Sequence, residues 1–119
     1  MKHNSNVVKA KDEVIDVEVR NLANEDLGNI CEIMLDKITG QVAYAVLDTG
    51  GFLGIGGKLF ALPWNSLQFD PDKECFILNV DKDKLKNAPG FDKDHWPDMA
   101  DRQWGETVSQ YYGVRSYWE

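Results

Sequence analysis

The fold is decided by residues 33–67, IMLDKITGQVAYAVLDTGGFLGIGGKLFALPWNSL. Gln41 to Asp48, QVAYAVLD, is rich in strand-forming residues and predicts a strand. LFALPW predicts another, with Pro63 at an end, edge or bulge because it has no amide hydrogen to donate. Between them lies a glycine cluster: Gly50, Gly51, Gly54, Gly56 and Gly57 are five of the chain's ten glycines, and Lys58 follows. Either this is a phosphate-binding loop or it joins two strands.

Residue identity decides against phosphate. A P-loop, G-x-x-x-x-G-K-[ST], would need glycine where Phe52 stands and a hydroxyl where Leu59 stands. A dinucleotide G-x-G-x-x-G beginning at Gly54 meets Leu59 at its last glycine, and a strand follows instead of a helix. The segment therefore reads as a connection between antiparallel strands, with glycines where the backbone needs positive φ or close approach. Phe52, Leu53 and Ile55 are apolar for a loop tip, so they either fold back on the domain or meet a partner.

Outward from this stretch the same signals repeat. VIDVEVRN alternates Val17 and Val19 with Glu18 and Arg20, as a half-buried strand does. Turn chemistry at Asn24 to Asp26 and Gly28 precedes a strand over Asn29 to Asp36, and Lys37 to Gly40 turns the chain into QVAYAVLD. Asp70 to Lys73 is a further turn, and CFILNV gives the fifth strand. Short strands joined by tight turns predict a mainly β protein, a small, partly open antiparallel barrel over residues 13–90. Residues 1–12 read as a flexible arm. DKDKLKNAPGF reads as a short helical turn ended by Pro89-Gly90. Residues 91–119 read as a helical, aromatic-rich extension packing on the barrel, with Trp104, Val108, Tyr111 and Tyr112 on one face and Gly113 as the stop. Gly105 weakens that helix by about 1 kcal/mol relative to alanine.

Composition narrows the function. One domain fits 119 residues. A formal charge of −7 argues against nucleic acid as main partner. No run is long and apolar enough to cross a bilayer, and the N-terminal residues lack the apolar core of a secretory signal. The expected compartment is the cytoplasm. Cys31 and Cys75 sit in apolar stretches and are expected to be free thiols. With His3 and His95 they lack the paired spacing of a zinc site, so no metal is expected. Asp92, Asp94, Asp98 and Asp101 form an acidic segment, but neither an EF-hand nor a nucleophile motif is present. A ligand-binding or hydrolytic enzyme working through Asp92 to Asp101 is the alternative to a binding module. Trp96, Trp104, Tyr111 and Trp118 belong to the aromatic tail, which serves as core, as a partner surface, or as both.

Taken together these residues resemble the PRC-barrel family, the β-barrel domain first named from the photosynthetic reaction centre H subunit. The resemblance rests on Leu27, Gly28 and Ile30, on Asp36 and Gly40, on Ala43 to Leu47, on Gly50 to Gly56 and on Lys58 to Trp64. LNVDKDKL and APGFDKDHWP also resemble small, free-standing bacterial members. The resemblance implies a cytosolic, non-enzymatic barrel that binds other proteins, with no catalytic residue and no cofactor to carry over. Edge strands of a partly open barrel and the acidic composition point to a homodimer. Phe52, Leu53, Ile55, Trp96, Trp104, Tyr111 and Trp118 are the expected interaction surface.

Overall fold

The computed structural model describes residues 6–51 and 57–119. Seven strands form one sheet. They are β1 (Glu18–Arg20), β2 (Asp26–Leu35), β3 (Val42–Asp48), β4 (Lys58–Pro63), β5 (Leu67–Asp70), β6 (Cys75–Leu78) and β7 (Gly90–Asp92). Their spatial order is β5-β6-β1-β2-β3-β4-β7, so the sheet curls without closing and β5 and β7 are its edges. Neighbours run antiparallel except β1 and β6, which are parallel. Helices are α1 (Ala10–Glu13), α2 (Lys82–Lys86) and α3 (Arg102–Tyr112).

The strand pattern follows from what covers each face. Ala45 and Leu47 of β3 and Phe60 and Leu62 of β4 point into the barrel, with Val19, Leu27, Ile30, Phe76, Leu78 and Leu85. Tyr44, Val46, Leu59 and Ala61 point outward, where Phe91 and Val108 cover them. Strands buried on both sides become continuous apolar runs, which is why VAYAVL and LFAL do not alternate. β1 alternates, because only Val19 of its three residues is buried.

Two glycines fix the barrel's tight places. A Cβ on Gly28, at φ +130°, would lie 2.2 Å from the Asp48 carbonyl oxygen. This glycine reads as a turn in sequence, yet it sits inside β2, where the adjoining strand passes too close for any side chain. Gly90 is the second. A Cβ there would lie 2.9 Å from Cε1 of Phe60, the residue it pairs with on β4. Pro89-Gly90 therefore opens a strand rather than ending the chain's sheet contribution.

Turns follow their sequence chemistry. The Asp36 carboxylate accepts from the amides of Ile38 and Thr39, and Gly40 has φ +80°. Gly50, Gly51 and Gly57, flanking the glycine loop, all have positive φ, as a strand connection built on glycine requires. The α3 helix begins at Asp101, whose carboxylate accepts from the Gln103 amide, and ends at left-handed Gly113.

Candidate protein-docking surface

The barrel's open edge is built by a 3-10 turn. After Pro63 the chain turns through Trp64–Ser66 and returns as β5, which among the described residues pairs with β6 alone. Ser66 Oγ donates to the Pro63 carbonyl and holds the corner. Leu67 faces Leu78 and Phe69 faces Phe76 across the pair. Phe69 stays 49% exposed although its ring meets Phe76 edge-on, centroids 5.2 Å apart. Leu22, just past β1, is 72% exposed. A cleft of about 350 Å³ opens here, between the outer face of β5 and β6 and the end of α3. Its walls are Leu22, Ile77, Val80 and Val114 with Asn65, Gln68 and Asn79, and no charged residue lines it.

A second cleft, about 610 Å³, has opposite character. Asp16, Asp26, Asp48 and Lys82 line it. The Asp26 and Asp48 carboxylates accept from the Gly28 and Gly50 amides, so both serve turns. Thr49, also in its wall, has a buried hydroxyl without a hydrogen-bond partner. Among the described residues no cluster of His, Cys, Asp and Glu is arranged to hold a metal ion.

The aromatic tail is held against the barrel's outer face. Trp104 meets Tyr44 edge-on at 5.3 Å, and Tyr117 meets Tyr44 at 6.1 Å. Trp118 packs on Tyr117 at 5.2 Å and lies under the Arg102 guanidinium. Tyr111 reaches the other way, donating its hydroxyl to the Lys84 carbonyl in α2. Trp96 is 42% exposed, though its ring meets Phe91 at 5.1 Å and its indole N–H donates to the Lys93 carbonyl. Thus Trp104, Tyr111 and Trp118 are packing residues with partly exposed rims, and Trp96 is the tail's exposed aromatic. The three loop residues, Phe52, Leu53 and Ile55, lie outside the described residues. Phe69 and Leu22 are surface apolar residues that sequence reading missed. The signal for Phe69 was the alternation in LQFD, too short to stand out.

Electrostatics mark a few groups. The Tyr117 hydroxyl donates to Asp36 Oδ2 at 2.8 Å, tying the tail to the β2–β3 turn. That bond, with the Thr39 amide, lowers the Asp36 carboxyl below its ordinary value and raises the Tyr117 phenol. Burial pushes the Cys31 thiol up to about 11 and also raises Cys75. Both thiols are free.

An open, curled sheet with this strand series has a counterpart among known families, and the sequence model of the PRC-barrel domain matches residues 7–85. The chain belongs to the PRC-barrel family. A search of curated proteins finds no match. The matched PRC-barrel segment carries β1 to β6, including the β5 edge and most of the uncharged cleft. Beyond it, β7 and α3 extend the barrel at β4 and cover its outer face. Among the described residues, no helix of this PRC-barrel is long and apolar enough to cross a membrane.

Proposed function

We propose that this PRC-barrel is a non-enzymatic protein-binding or assembly module that associates as a homodimer. The observation that carries this reading is the unpaired β5 edge, with half-exposed Phe69 on it. An unpaired strand edge presents backbone donors and acceptors to another chain. The free thiols of Cys31 and Cys75 support a reducing compartment such as the cytoplasm.

The acidic segment supports the same reading. The Asp98 carboxylate accepts from the Ala100 amide and Asp101 caps α3, so two of its four carboxylates serve local backbone. All four are exposed, without the enclosed setting that tunes an acid or base.

Sedimentation velocity over a concentration series, with a thermal-shift screen of metabolites and divalent metals, tests the proposal. The expected result is concentration-dependent association and no saturable ligand shift. A saturable shift abolished by Asp94→Asn would overturn it in favour of a ligand-binding or hydrolytic site at Asp92 to Asp101.

A further inference from the structure

We propose that two copies of this chain pair through β5, the strands meeting antiparallel about a two-fold axis so that the two sheets become continuous. The proposal rests on the association reading above and specifies its surface.

Charge selects the edge. A chain of net charge −7 that meets itself must keep like charges apart. Both edges end on an acid, Asp70 on β5 and Asp92 on β7, but a two-fold axis at Phe91 would oppose Asp92 to the partner's Gly90, which has no side chain to donate. The cleft of Asp16, Asp26 and Asp48 sets three carboxylates against one cation, Lys82, so two copies meeting there would gather excess negative charge. Beside β5 the cleft has no charged lining residue, although 28% of the chain is charged. Exposed Leu22 belongs to that uncharged wall, with Gln68 of β5, and half-exposed Phe69 lies on the other face of the same strand.

Register then follows from the sheet's own rules. Directly opposed side chains in an antiparallel pair lie on one face. Continuity of the two sheets requires inner-face residues to meet inner-face residues. Leu67 and Phe69 share one face of β5, and Gln68 and Asp70 share the other. A two-fold axis at Phe69 satisfies this rule. It sets Phe69 against the partner's Phe69, an aromatic pair. It also sets Gln68 against the partner's Asp70, an amide that donates to a carboxylate. Asp70 never opposes the partner's Asp70. Phe69 is already held edge-on against Phe76, so little rotamer freedom is lost on pairing.

Light scattering and sedimentation of full-length wild type, Phe69→Glu and Phe69→Lys test the axis, with circular dichroism for folding. The expected result is a dimeric wild type, each variant alone monomeric, and an equimolar mixture of the two again dimeric. Asp92→Lys, at the other edge, should stay dimeric. A dimeric wild type with a folded, still dimeric Phe69→Glu overturns the β5 axis and leaves association to another surface. A wild type monomeric at high micromolar concentration overturns both this inference and the association reading. If the Phe69 variants do not fold, exposed Gln68 carries the test. Gln68→Glu opposes the partner's Asp70 and should weaken the dimer at least about threefold, and Gln68→Lys should strengthen it similarly, because the pair occurs twice. Equal dissociation constants for the two would overturn the register.

Discussion

Gly105 of α3 lies against the hydroxyl of Tyr44: a Cβ on Gly105 would stand 2.6 Å from that oxygen and 2.8 Å from Cη2 of Trp118. The glycine that weakens the helix in isolation is thus what lets the helix sit down on β3. Alanine at an exposed helix position gains about 1 kcal/mol over glycine, but overpacking costs about 1–3 kcal/mol. Gly105→Ala is expected to lower the urea midpoint without changing the slope. An increase would mean that the Tyr44 and Trp118 rings move aside freely.

The same contact leaves the Tyr44 hydroxyl buried with no hydrogen-bond partner. Removing an unpaired buried polar atom restores no desolvation penalty, whereas leaving one costs about 1–3 kcal/mol. Tyr44→Phe is expected to be neutral or stabilising, and to relieve part of the loss in Gly105→Ala. Additivity of the two substitutions in equilibrium unfolding would contradict this coupling.

Burial of the phenol also makes a prediction for high pH. Burial, followed by the charge of Tyr117, pushes Tyr44 from 10.0 up to about 12. A raised folded value means that the contribution is complete below the ordinary phenol value and is lost as pH rises through the folded one. Denaturation between about pH 10 and 12 should show wild-type stability falling more steeply than that of Tyr44→Phe. Parallel curves would remove Tyr44 as the cause.

Much of this was legible in the sequence because it is local chemistry. Gly113 marks the end of α3, and Lys37 to Gly40 mark the β2–β3 turn, whereas the start of α3 at Asp101 does not stand out from the acidic run before it. The apolar runs of β3 and β4 announce strands covered on both faces. What was not legible depends on partners distant in sequence. β1 and β6 are parallel because the chain returns on the far side of β1, and no periodicity encodes that. β5 and β7 are too short to show a period, and Gly90 carries the signature of a turn. The uncharged cleft brings Leu22, Gln68, Val80 and Val114 together from four separate segments.

The Tyr117–Asp36 bond fastens the chain's last residues to the barrel, and it predicts an acid effect. The Asp36 carboxyl lies below its ordinary value chiefly through this bond. A depressed folded value gives stability that is present above the ordinary carboxylate range and lost as pH falls through the folded one. Urea unfolding of wild type and Tyr117→Phe should differ at neutral pH and converge in acid. A difference that persists unchanged in strong acid would assign the effect to packing of the ring.

Cys31 should be a slow nucleophile. With its thiol raised to about 11, the reactive thiolate is scarce at neutral pH. Alkylation by iodoacetamide should proceed much more slowly in the native protein than in denaturant, and intact mass should show two unlinked thiols. Rapid native labelling at Cys31 would contradict the burial that sets its value.

Hydrogen–deuterium exchange of the wild type at low and high protein concentration tests self-pairing through β5 most directly. Those amides of β5, within Leu67 to Asp70, that point away from β6 should become more protected as concentration rises, while those of β7, Gly90 to Asp92, stay unchanged. Protection that appears at β7 instead, or β5 exchange that is the same at both concentrations, would contradict it.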